Sequence, residues 1–151
     1  MKSRAGRRIA GKIATAVAIV VGFAWTAEAA TQPSVYTRTV NASGVDRCWT
    51  NSAAGNFKVG SKFLSVGWAG NGGVDECFGV APSGTIWHTW RGASNRWYEM
   101  PGHGHADNMN KVLVARNIFS GNDVRVVCVW AVGQNYCNGN EKGVWSGWSR
   151  Q

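Results

Sequence analysis

Val74-Asp75-Glu76-Cys77-Phe78-Gly79-Val80, then Pro82-Ser83-Gly84, then Thr85-Ile86-Trp87-His88-Thr89-Trp90-Arg91, and beyond a polar loop Trp97-Tyr98-Glu99-Met100, read as strand, turn, strand and strand. Tryptophans, β-branched residues and turn glycines alternate at strand period, so Val74 to Gly102 is taken as one complete four-strand β-unit. Such a pattern favours a binding scaffold over a catalyst.

Parts of this unit recur. Gly44-Val45-Asp46-Arg47-Cys48-Trp49 parallels Gly73-Val74-Asp75-Glu76-Cys77-Phe78, and Asp123-Val124-Arg125-Val126-Val127-Cys128 is a looser third copy. Thr85 to Arg91 is echoed by Gly143-Val144-Trp145-Ser146-Gly147-Trp148-Ser149-Arg150. In a regular strand the two indoles of W-x-x-W point to opposite faces, so one packs inward and the other is left for a ligand. No stretch reads as an amphipathic helix, and even Asp107 to Ile118 reads better as a strand through Lys111-Val112-Leu113-Val114-Ala115-Arg116.

The first 29 residues have the form of an export signal. Lys2, Arg4, Arg7, Arg8 and Lys12 precede an apolar stretch, Ile13 to Ala24, and Ala27-Glu28-Ala29 has the small-x-small pattern of a cleavage site after Ala29. The apolar run is shorter than the roughly 20 residues that span a bilayer, which argues against a stable membrane anchor. Ala10 and Gly11 stand where a twin-arginine signal prefers bulky apolar residues, so export before folding is expected.

Cleavage would remove five of sixteen basic residues and one of eight acids, leaving eleven against seven, a net of +4 rather than the +8 of the whole chain. The remaining Lys and Arg are scattered and form no phosphate-tracking run, so no nucleic-acid partner is expected. The mature 122 residues suffice for one domain with a core.

All four cysteines lie in the mature part, and an even count in an exported chain reads as two disulfides. Three pairings are possible. A hairpin with Gly133-Gln134 between its arms would set Cys128 across from Cys137, which leaves Cys48 with Cys77. Cysteine ligation of zinc would need a short C-x-x-C spacing that is missing.

Ser83-Gly84-Thr85-Ile86-Trp87-His88-Thr89-Trp90-Arg91, followed by Trp97 and Met100-Pro101-Gly102, resembles a blade of the tectonin-like β-propeller lectins, and Trp145-Ser146-Gly147-Trp148 is similar to the G-W-S-G-W element of the same repeats. One blade is matched well and a second partly. Cysteines are not a hallmark of those repeats, Ser83 replaces their turn aspartate, and 122 residues make only two to three blades, fewer than a closed ring needs. The resemblance therefore implies either a homo-oligomer that completes a ring or a different compact β-fold with blade-like hairpins.

It also implies carbohydrate binding. Sugars lay apolar C–H faces on indole rings and bond their hydroxyls to short polar groups. Trp87, His88, Trp90, Arg91, Trp97 and Tyr98 supply both kinds of group within twelve residues, against the plainer reading that Trp87 and Trp97 are core anchors.

Other constellations carry less. His103-Gly104-His105-Ala106-Asp107 has metal-ligating residue types but no defined third ligand, and reads as a solvated loop. Asp75-Glu76, Glu99 and Asp107 could form a glycosidase pair only at a separation that sequence does not set. There is no G-x-S-x-G and no unpaired cysteine, so no catalytic residue and no cofactor is expected.

A second reading is a small secreted inhibitor of an extracellular hydrolase, or an antagonist of another extracellular protein. Cys77 to Pro82 and His103 to Ala106 resemble segments of the small β-sandwich α-amylase inhibitors, although their Trp-Arg-Tyr loop is missing and Trp90-Arg91-Gly92 is only a partial substitute. A third reading, tryptophans seated at a membrane interface, has no amphipathic helix to support it.

The expected molecule is an all-β, small antiparallel β domain of two to three blade-like Trp/Gly repeats, disulfide-bonded. Residues 1–29 are the secretory signal peptide, 30–42 a flexible N-terminal segment and 43–151 a single β domain. It is expected to be secreted and non-catalytic, binding a glycan or cell-wall polysaccharide through Trp87, His88, Trp90, Arg91, Trp97, Trp145 and Trp148.

Overall fold

The computed structural model describes residues 25–26 and 31–151; the expected signal peptide lies outside the described residues apart from its Trp25–Thr26. No helix occurs among the described residues. The strands are β1 (Trp25–Thr26), β2 (Ser34–Thr39), β3 (Val45–Arg47), β4 (Ala54–Asn56), β5 (Lys62–Gly67) and β6 (Glu76–Val80). They continue as β7 (Ile86–Trp90), β8 (Tyr98–Glu99), β9 (Asn108–Asn117), β10 (Asp123–Ala131), β11 (Gln134–Glu141) and β12 (Val144–Arg150).

Every pairing between these strands is antiparallel. One sheet runs β2-β5-β6-β7-β8, the other β1-β9-β10-β11-β12, and β3-β4 is a separate hairpin. The alternation of each strand puts Leu64, Val66, Phe78, Val80 and Ile86 of the first sheet against Met109, Val112, Val114, Val127 and Val129 of the second. The two sheets therefore share one core as a sandwich, each built on a four-strand meander, β5–β8 and β9–β12.

The hairpin β3–β4 lies on the outer face of the first sheet, where Val40, Cys48, Phe57, Phe63 and Cys77 form a second core. This second layer is why β6 is buried at all five positions rather than at alternate ones. Gly79 makes the layer possible, because a Cβ there would stand 2.5 Å from the Phe57 ring. Phe57, Phe63 and Trp97 meet edge to face, with centroids 4.8 to 5.8 Å apart.

Cys48 is bonded to Cys77, tying the hairpin layer to the central strand β6, and Cys128 is bonded to Cys137, directly opposite it in the β10–β11 register. With sequence separations of 29 and 9, chain-entropy reasoning makes the first worth about 3.6 and the second about 2.6 kcal/mol.

Several expectations are revised. Val74 to Gly102 holds three strands, not four; the fourth member of its meander is β5, upstream. Residues 34–39, expected within a flexible segment, are β2, paired along β5 from Ser34↔Gly67 to Thr39↔Lys62. The similar hexapeptides Gly44–Trp49 and Gly73–Phe78 are not equivalent in space: one enters the covering hairpin and the other the central strand, and their cysteines bond to each other. The β10–β11 turn is Val132-Gly133, one residue earlier than expected, because a two-residue loop needs both central residues at positive φ and these are the two at +48° and +70°.

The free edge of β9 is partly closed by a side chain. Gln32 Nε2 donates to Val114 O at 3.0 Å and Gln32 Oε1 accepts from Val114 N at 3.3 Å, so an amide side chain takes the place of a strand.

Candidate functional site

Glu76 on β6, His88 and Trp90 on β7 and Tyr98 on β8 project from the inner face of the first sheet, beyond the end of the apolar core. Arg125 on β10, Asn140 on β11 and Trp145 on β12 project toward them from the second sheet. Between them lies a cleft of about 690 Å³, within the range of small-molecule sites.

Its floor is an ordered polar network. Glu76 and His88 are both buried, with His88 Nδ1 2.7 Å from Glu76 Oε1, and Trp68 Nε1–H donates to Glu76 Oε2 at 2.9 Å. An ionised carboxylate only accepts, so with Glu76 ionised the imidazole carries a proton on Nδ1 and turns Nε2 away from the pair. Both oxygens of a costly buried carboxylate are thereby satisfied, and the ring orientation of His88 is set. Phe78 stacks under His88 at 6.0 Å, and Trp145 meets it edge-on at 5.8 Å.

The wall is aromatic. The Trp90 ring lies 5.0 Å from Tyr98 and 5.2 Å from His88, and Trp90 remains 38% exposed. Arg91, at the rim, is tied to Thr50 Oγ1 at 3.3 Å, to Val74 O at 3.2 Å and to Asp75 at 3.7 Å. A rigid aromatic face flanked by fixed polar groups can hold a flat, hydroxyl-rich molecule: ring faces take its apolar side, and the fork of Arg91 and the carboxylates of Asp75 and Glu99 take its edge.

The seven residues singled out from sequence fall into three places. His88, Trp90, Arg91 and Trp145 line this cleft. Trp87 and Trp97 lie on the other face of the sheet, half-buried against the second core; Trp87 Nε1 donates to Thr85 Oγ1 at 2.8 Å and Trp97 Nε1 to Ala53 O at 3.3 Å. A mainly apolar hollow of about 370 Å³ runs beside them. Trp148 turns into the sandwich over Gly104, where a Cβ would stand 2.6 Å from its ring, and its Nε1 has no partner among the described residues.

Asp75, Glu76 and Glu99 share the cleft, whereas Asp107 lies elsewhere, 3.7 Å from Lys58 and accepting from Val132 N at 2.9 Å. His103 Nδ1 is 3.1 Å from Glu99 Oε1. No group of three His, Cys, Asp or Glu side chains positioned to hold a metal ion occurs among the described residues.

Sequence reasoning missed Trp68 and Arg125, which meet in the cleft with the guanidinium 5.4 Å from the indole centre. Arg125 sits in the loosest copy of the repeated hexapeptide and Trp68 in none, and only the facing of two sheets brings them together. It also missed Trp49, 60% exposed on the outer side, with Tyr36 at 5.6 Å and the Arg38 guanidinium 5.1 Å above its ring. No protein family, curated protein or solved structure matches the chain.

Proposed function

We propose that this is a secreted, non-catalytic glycan-binding protein whose ligand lies in the cleft between the ends of the two sheets. The observation that carries the reading is the pairing, in one cleft, of an aromatic wall of Trp90, Tyr98 and Trp145 with a fixed polar floor and rim of Glu76, His88, Arg91 and Glu99. In this reading the meanders β5–β8 and β9–β12 stand as blade-like units, and the resemblance of Val74 to Gly102, which covers β6 to β8 of the first, to tectonin-like lectin repeats points the same way. Two disulfides are compatible with an oxidising compartment.

The binding set narrows accordingly to His88, Trp90, Arg91 and Trp145, joined by Tyr98, with Trp87, Trp97 and Trp148 as structural side chains. A protein-directed role, as inhibitor or antagonist, is favoured by one feature, the exposed Trp90-Arg91 corner, where Arg91 makes three contacts.

The test is a tryptophan-fluorescence titration of the oxidised protein with soluble glycans and cell-wall polysaccharides. Binding should saturate, fall about tenfold or more in Trp90→Ala, and stay within about twofold in Trp49→Ala, since one lost aromatic stack is worth on the order of 1 kcal/mol or more. A panel that leaves the fluorescence unmoved, with a protein ligand that competes for Trp90-Arg91, would turn the assignment to the inhibitor.

A further inference from the structure

The cleft does not stop at Trp145. A second hollow of about 670 Å³ shares Trp68, Asp75, Arg125, Asn140 and Gly143 with it and continues past Ala69 to Lys142. The two form one groove across the end of the sandwich, with Arg125 at their junction.

The charges along this groove differ in how far they are already engaged. Asp75 accepts from Trp68 N at 3.0 Å and faces Arg91, and Glu76 holds His88 and Trp68. Glu99 faces His103, and Asp123 accepts from Arg116 at 3.2 Å. Glu141, next to Lys142, is taken up by Ser120, Asn122 and Asn117. Each of these carboxylates thus has a partner within the fold.

Arg125 at the junction and Lys142 beyond it do not. Arg125 lies over the Trp68 ring, and neither it nor Lys142 has an ion-pair or side-chain hydrogen-bond partner among the described residues. Asn140, directly across from Arg125 in the β10–β11 register, accepts from Gly143 N at 2.9 Å through Oδ1, which leaves its Nδ2–H2 to donate. A planar guanidinium over an indole, an amide donor opposite it in register and an ammonium further along are unspent donors lining one groove. A carboxylate fits that set, since a guanidinium fork can hold both its oxygens.

We infer that the glycan taken by this groove is acidic, a uronate-bearing chain whose sugar carboxylate is held by Arg125 with Asn140 and Lys142 while neighbouring sugar rings lie on Trp90 and Trp145. This rests on the glycan-binding reading and adds its ligand class. Trp68 is a positioning residue: its indole carries Arg125 above the ring while its Nε1–H holds Glu76.

The test compares, by calorimetric titration of the oxidised protein at about 0.15 M salt, oligogalacturonate, the same oligomer methyl-esterified, a neutral cello-oligosaccharide and dextran sulfate. Oligogalacturonate should bind at least about tenfold tighter than its ester, and Arg125→Gln should erase that preference by weakening the acid far more than the ester. Arg125→Lys, which keeps the charge but not the fork, should recover only part of it. Equal binding of acid and ester overturns the acidic assignment and leaves the glycan reading standing. Equal binding of dextran sulfate and oligogalacturonate, insensitive to Arg125→Gln, overturns it in favour of bulk charge attraction. Failure of every glycan to bind removes both readings together.

Discussion

Trp87-His88-Thr89-Trp90 and Trp145-Ser146-Gly147-Trp148 have the same spacing and opposite outcomes. In the first, β7 is regular, so Trp87 packs outward against the hairpin layer and Trp90 faces the cleft. In the second, Trp145 stands opposite Asn140 and Trp148 opposite Asn138, and the register between them slips by one because Ser146 and Gly147 together oppose Gly139. Both indoles therefore turn inward. Asn138 Oδ1 accepts from Gly147 N at 3.0 Å and Ser146 Oγ accepts from Gly139 N at 3.1 Å, so side chains hold the bulge closed. One inserted residue reverses the parity of everything after it.

The largest effect separates the outer half of the comparison from the inner. Phe57 supports Trp97 and covers Gly79 beneath the hairpin layer, so Phe57→Ala should cost about 3–5 kcal/mol in chemical denaturation. It should also open Trp87 and Trp97 to acrylamide quenching while ligand binding at Trp90 survives in the folded fraction. Loss of binding in proportion to the quenching would mean the two faces are not independent.

Gly147 tests the bulge itself. Its φ of +89° suits glycine, so Gly147→Ala should cost about 1–2 kcal/mol even though the added methyl meets nothing within 4 Å. Thermal unfolding would measure the cost, and an unchanged melting temperature would show that the bulge can re-form elsewhere.

The smallest effect lies at the end of the β11–β12 hairpin. Glu141 accepts hydrogen bonds from Ser120, Asn122 and Asn117, with Lys142 adding attraction, and these hold its carboxyl below the ordinary glutamate range. A carboxylate whose folded value is depressed stabilises the fold above its unfolded value and loses that contribution as pH falls through the folded one. Denaturation midpoints of Glu141→Gln should therefore fall short of the parent's at neutral pH and converge on them as pH falls below the ordinary glutamate range. Parallel midpoints at all pH values would mean that the carboxylate charge is not what the turn depends on.

The sequence was most informative where local rules act alone. Alternation marked the strands around Cys77, Trp87 and Val112, and the even cysteine count with a hairpin between Cys128 and Cys137 pointed to the observed bridges. It was least informative where tertiary placement decides. β2 reads as an open segment because Ser34-Val35-Tyr36-Thr37-Arg38-Thr39 is polar at most positions, yet pairing with β5 orders it. The Ser146-Gly147 bulge depends on Asn138, and a period-two pattern has no means of registering an extra residue. The cleft is assembled from six strands of two sheets, so Arg125 and Trp68 carried no local sign of their meeting.

The amide of Gln32 has a consequence for how this molecule behaves in company. An uncovered strand edge recruits strands from other chains, and β9 is ten residues long while β1 pairs with it only at Asn117 and Arg116. With the backbone of Val114 already engaged on both its N–H and its carbonyl by one side chain, a second molecule meets an occupied stretch in the middle of that edge. A single glutamine thus leaves less of that edge open to a strand from another molecule.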